Sequence, residues 1–312
     1  MPRTAGKYGR RPPKQAPALR LGRLLTGVLP TYPSAADYLA AMNGGWQMLG
    51  NDRAGCCVAV TWANVRRLVT TFLAAGYYPS QDQVWEIYQT QNPGFDPDGT
   101  AETNGPGSPA DRGMDIQTLL EYLVQVGGPD GVKAVGFASV DVSNPAEVKA
   151  AIAIFGYVWT GINVLQCNMQ EFSEGLPFDY VPGSPVDGGH SVITAGYGAP
   201  GSGPLGGDER FETWAEETSF TDAFWQNDVE EAWVVIWPEH LGSKAFLEGV
   251  DQAQLAADFQ ELTGRPFPGD SAPAPAPSAE SLLANLAAEI RAAVTEFRPV
   301  ATLLHWLEQH GI

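Results

Sequence analysis

The chain has 312 residues and a net charge of −18, with 44% hydrophobic residues. That is enough for a sizeable core in one large domain or two ordinary ones, and no run approaches the roughly 18 apolar residues of a membrane span. The acid excess disfavours nucleic acid as a partner of the body. Three cysteines, with no CxxC or HxxxH spacing, disfavour a disulfide framework or a structural zinc site and fit a reducing compartment.

Residues 1–30 read as an extended basic arm rich in Pro, Gly and Arg. Arg3, Lys7, Arg10, Arg11, Lys14, Arg20 and Arg23 all precede the first acidic residue, Asp37. Segment 1–23 is therefore expected to contact an acidic surface or to remain a solvated terminus. It has no apolar signal-peptide core, so a cytoplasmic or virion-associated location is expected. Residues 34–43 predict a short helix capped by Ser34. The stretch Gly50-Asn51-Asp52-Arg53-Ala54-Gly55-Cys56-Cys57 is a small-residue turn running into a helix that ends near Gly76. A thiol there faces free N–H groups and the positive end of the helix dipole, which favour a thiolate. The same stretch also fits a buried structural cysteine pair on a core helix.

Residues 80–91 predict a helix capped by Ser80, and 92–113 a long Gly/Pro/Asp loop. Helices follow at 114–127 and 145–156. The period then changes to strand alternation at Tyr157–Val164, Gly189–Gly198, Phe211–Trp214 and Ala232–Ile236. Helices first and strands second predict an α+β fold with an antiparallel sheet. A Pro/Ala linker at 268–277 separates a body, 31–267, from an amphipathic helical segment, 278–312. The stripe Leu283, Leu286, Ile290, Val294 and Phe297 predicts docking on a second copy, a partner or the body itself.

These landmarks, in order over residues 44–237, resemble papain-like cysteine peptidases. Gly55, Cys57 and Ala59 fit the segment of the nucleophile. Asn51 stands six residues before Cys57, where Gln is usual, and Val58 stands where an aromatic is usual. Arg112–Ile116 resembles the cleft-lining segment, and Glu147–Ile152 with Gly156–Val158 resembles the helix and first barrel strand. Gly189-His190-Ser191-Val192 resembles the catalytic-His strand. Glu212-Thr213-Trp214-Ala215 resembles Asn-Ser-Trp-Gly. Cys57 and His190 are 133 residues apart, within the family's roughly 130–150. The pattern is most similar to phage or bacterial papain-fold proteins.

The resemblance implies a helical half followed by an antiparallel β half, flanked by the arm and the tail helix. It implies hydrolysis of peptide or amide bonds in a peptide or protein substrate, with no cofactor and no metal. Cys57 would be the nucleophile and His190 the proton carrier. Asn51 would serve the oxyanion, and Glu212 would orient His190. An alternative is a papain-fold structural or binding protein, for example a virion component, with reduced or no activity. An acyltransferase using the same thiol is a third.

Overall fold

The computed structural model describes residues 3–14, 17, 19–25, 33–42, 44–198, 209–263 and 266–267. The chain divides into two units, Met1–Pro266 and Phe267–Ile312. The predicted linker and tail helix lie outside the described residues.

In chain order the first unit begins with β1 (Arg10–Arg11), α1 (Leu21–Leu24), β2 (Ala36–Asp37) and α2 (Tyr38–Ala41). The helical half follows as α3 (Cys57–Leu73), α4 (Gln81–Gln89), β3 (Met114–Asp115) and α5 (Ile116–Gln125). The β half holds β4 (Gly136–Val140), α6 (Pro145–Phe155), β5 (Val158–Leu165), α7 (Gln166–Glu174) and β6 (Val186–Tyr197). It continues through β7 (Glu209–Thr213), β8 (Glu216–Ser219), α8 (Asp222–Asp228) and β9 (Val229–Ile236), then α9 (Lys244–Gly249) and α10 (Gln252–Thr263). The main sheet runs β4-β9-β5-β6-β7-β8, with β2 also paired to β6, and every pairing in it is antiparallel. No helix among the described residues is long and apolar enough to cross a membrane.

Local chemistry sets the helix ends. Ser80 and Gln83 close a reciprocal capping box on α4. Pro145 opens α6 after Asn144 caps Glu147, and Gly156 ends it in the left-handed region. The helix predicted at 34–43 is shorter than expected. Asp37 rather than Ser34 caps it, its carboxylate accepting from Ala40 N–H at 3.0 Å. Residues Ala36 and Asp37 are drawn off as an edge strand against Tyr197 and Gly196.

Helix α3 is buried on all sides through its first three turns, so its polar side chains Thr61, Asn64 and Arg66 all need partners inside the protein. It packs against β6 through a hydrogen-bonded chain across the core. Trp159 Nε1 donates to Ser191 Oγ at 2.8 Å, Ser191 Oγ meets Thr61 Oγ1 at 3.0 Å, and Thr61 Oγ1 donates to the Cys57 carbonyl at 2.9 Å. Farther along, the Arg66 guanidinium is sealed between Asp130 and Glu239, 2.7 Å each, over the Trp237 ring. The loop 92–113 is ordered by turns. Phe95 packs on Trp85 and Tyr88, and Asn92 Nδ2 ties the Tyr88 carbonyl to that of Gly113. It thereby places Gly113 and Met114 opposite the mouth of β6.

Candidate active site

Cys57 is the first residue of α3, so its backbone N–H is among the free donors of the helix head. The preceding turn is fixed by Asn51 N–H to Met48 O at 2.8 Å and Ala54 N–H to Gly50 O at 3.1 Å. Gly50 has φ +92°, and a Cβ there would lie 2.2 Å from the Trp85 ring. The Gly55 N–H donates to Asp111 Oδ1 at 3.0 Å, tying the turn to the long loop.

His190 sits on β6 opposite Ile162 of β5. The Cys57 sulfur lies against the backbone N–H of Ser191, the residue after His190. Helix head and strand mouth therefore meet at the two predicted reactive residues. Both are buried. His190 Nε2 and Thr213 Oγ1 are 2.7 Å apart, while Nδ1 has no hydrogen-bond partner among the described residues. With the proton on Nε2, Nδ1 is the lone-pair nitrogen available to a thiol.

Glu212 does not hold His190, which corrects the expected orienting role. Its carboxylate accepts from Asn64 Nδ2 and, at 3.0 Å, from the Ala215 N–H. The side chain that reaches the imidazole belongs to the next residue, Thr213. Alternation along β7 sends neighbouring side chains to opposite faces, so only one of the two can face His190. Position in the sequence alone points to Glu212; strand alternation is the signal that points to Thr213.

Glu212 braces the turn into β8. Trp214 and Ala215 form the two residues between β7 and β8, with φ +50° and +64°. That conformation is normally left to Gly or Asn. The Ala215 N–H bond to Glu212 secures the turn, and Trp214 lies over His190 at 4.6 Å and 31°. Burial pushes Glu212 up to about 8, against the donors Ala215 N–H and Asn64.

The cleft between the two halves holds the arm, residues 3–11. Lys7 N–H donates to Asn51 O at 2.6 Å, and Asn51 Nδ2 returns a bond to the Lys7 carbonyl at 2.9 Å. Tyr8 meets His190 edge-on at 6.2 Å and donates its hydroxyl to Asp187 at 2.9 Å. Gly9 N–H donates to Gly189 O at 3.1 Å, and Met114 N–H donates to Gly9 O at 2.7 Å. Arg10 and Arg11 then pair in parallel with Met114 and Asp115. The arm is thus held backbone to backbone by both walls. A Cβ on Gly9 would lie 1.7 Å from Gly55 O.

Under this cover the site is neutral. Burial pushes the Cys57 thiol up to about 11, overriding the Ser191 N–H, the Arg10 charge and the Val58 and Arg10 N–H groups that favour the thiolate. Burial also holds His190 down to about 3, and the Arg10 charge adds to this. Cys56 is buried, and its thiol is raised well above its ordinary value, chiefly by desolvation. The Ser191 N–H brings Cys57 to the mouth of β6, where His190 stands; Asn51 meets the arm at Lys7, and Glu212 bonds Asn64 and Ala215 instead.

No family model and no curated protein matches the chain. Among solved structures it is similar to xylellain, a cysteine protease from Xylella fastidiosa, with TM-score 0.53 and 14% identity over 76% of this chain and 98% of that one. It is also similar to proCathepsin B S9 from Trypanosoma congolense, with TM-score 0.49 and 10% identity over 74% and 86% of the two chains. The ragweed pollen cysteine protease Amb a 11, in its proform, aligns with TM-score 0.48 and 16% identity over 72% and 71%. Helical half, antiparallel sheet and the likeness to xylellain agree: this chain has a papain-like α+β fold.

Proposed function

We propose that the chain is a thiol peptidase or amidase whose cleft is closed by its own arm. The observation that carries this reading is a peptide segment gripped by backbone hydrogen bonds across a helix-head thiol beside a histidine. With the arm displaced, Cys57 would pass its proton to His190 Nδ1, and the sulfur would attack the substrate carbonyl carbon. The C–S bond forms as the carbonyl π pair moves to oxygen. That oxygen would be met by the Cys57 N–H and Asn51 Nδ2, donors worth about 3–4 kcal/mol each in known cases. The C–N bond then breaks, and the amine leaves with the His190 proton. Water, deprotonated by His190, cleaves the thioester and returns the thiol. The arm blocks this sequence twice: it occupies the substrate's place, and it uses Asn51 Nδ2 on the Lys7 carbonyl.

A second reading, a papain-fold structural or binding protein such as a virion component, draws on a specific observation. His190 is held by a hydroxyl rather than by an amide or carboxylate, and the buried pair is neutral. The two readings separate on full-length protein carrying Gly9→Val, which cannot seat the arm. A peptidase variant hydrolyses a denatured-protein substrate and loses this on adding Cys57→Ala. A binding protein hydrolyses nothing in either form.

A further inference from the structure

The arm also inserts one buried side chain into the cleft wall. The Arg10 guanidinium is 1% exposed and enters a pocket between β5 and β9. Its Nη1 donates to Glu231 Oε1 at 2.8 Å; its Nη2 donates to Glu230 Oε2 at 2.5 Å and to Asn163 Oδ1 at 3.1 Å. Both carboxylates are fixed from behind. Trp233 Nε1 donates to Glu231 Oε2, and Asn163 Nδ2 donates to Glu230 Oε1, both at 2.7 Å. The wall beside the Arg10 stem is Gly161, where a Cβ would lie 2.8 Å from Arg10 Cδ and 2.6 Å from Glu231 Cγ.

The acceptors are arranged for a planar fork rather than a point charge. Three oxygens from three side chains take N–H groups on two separate nitrogens. Two carboxylates face one cation, with Asp115 and Asp228 adding negative potential nearby. An empty pocket would leave Glu231, largely buried, without its counter-ion. The Arg10 backbone N–H adjoins the Cys57 sulfur, so the pocket begins one arginine side chain away from that thiol.

We propose that Glu231, Glu230 and Asn163 form an arginine-selecting subsite of the cleft, and that Arg10 is the self-ligand that fills it when the arm is seated. Substrates would then be peptides carrying arginine within about two residues of the reacting carbonyl, the reach of one extended step on either side of the thiol. This rests on the peptidase reading, and the test is a binding measurement that needs no turnover.

The protein is the full-length chain with Cys57→Ala and Arg10→Ala. It is titrated calorimetrically with blocked tripeptides, acetyl-Gly-Arg-Gly-amide and its lysine and citrulline counterparts. The proposal expects the arginine peptide to bind at least ten-fold tighter than either, and Glu231→Gln to abolish that preference. Equal binding of all three, or a preference untouched by Glu231→Gln, overturns it. A second measurement avoids any folding defect of Arg10→Ala. In full-length Cys57→Ala, adding Glu231→Gln should speed amide hydrogen exchange at residues 7–11 at least ten-fold. Unchanged exchange there also overturns the proposal. Arginine binding without hydrolysis by the Cys57 protein would sustain the subsite and remove the peptidase.

Discussion

At the scale of single residues, the site turns on which neighbour touches His190. Thr213 Oγ1 is the contact that fixes the imidazole, so Thr213→Val should lower the rate of any Cys57–His190 reaction by about ten-fold or more, the usual scale for loss of an orienting hydrogen bond. Glu212→Gln should slow it less, because Glu212 reaches the imidazole only through the Trp214–Ala215 turn. Single-turnover thiol alkylation on the two variants checks the order.

Glu212 also predicts a pH dependence of stability. Its folded value of about 8 lies above its unfolded value. The folded state therefore binds more protons between the two, and stability falls as pH rises from about 4.5 through about 8. Each unit of such a shift corresponds to about 1.4 kcal/mol. Thermal melts from pH 5 to 9 should show this decline in the wild type and a flatter profile in Glu212→Gln. Parallel profiles would place the titration elsewhere.

At the scale of elements, the sequence was most informative where one local rule dominated. The capping box of α4, Pro145 and Gly156 around α6, and the alternation of β5, β6 and β9 all act within a few residues, and those elements fall close to where they were expected. Elements made by tertiary pairing were not legible. Strand β4 exists through its ladder with β9, and β8 through the strained turn from β7. Helix α7 carries Asn168 at its third position as an internal cap of Leu165 N–H, a pattern masked by its polar composition. The positions of Cys57 at a helix head and of His190 near a strand mouth were legible because both are local features. Thr213 required knowing which face of β7 turns inward.

The seat of the arm was illegible for a different reason, since nothing local marks Gly9 as a residue of close approach. Gly9→Val places a side chain where Gly55 O already lies, so the arm should leave the cleft with Cys57, His190 and Thr213 unaltered. Hydrogen exchange should then rise at residues 7–11 and at Met114, whose N–H donates to Gly9 O. Unaltered protection at both would mean that the arm tolerates the change.

At the scale of the whole molecule, the first unit contains the described sheet, the cleft and the arm, and the predicted docking helix lies in the second. Removing residues 268–312 should leave the melting temperature of the first unit unchanged. We expect it to alter oligomeric state or partner binding, and light scattering on both forms checks the former. The central claim concerns the first unit alone: an arm that neutralises a thiol–imidazole pair by burying it. Displacing the arm admits water to Cys57 and His190, so the thiol should fall from about 11 and the imidazole should rise from about 3. The most direct measurement is the pH profile of iodoacetamide labelling, mapped by mass spectrometry, in wild type, Gly9→Val and Gly9→Val with His190→Ala. Gly9→Val should label at Cys57 alone near pH 6, the wild type should resist there, and the added His190→Ala should suppress the acid-side reaction. Labelling of Cys57 only at alkaline pH in all three, or equal labelling of Cys56, Cys57 and Cys167, would contradict the account.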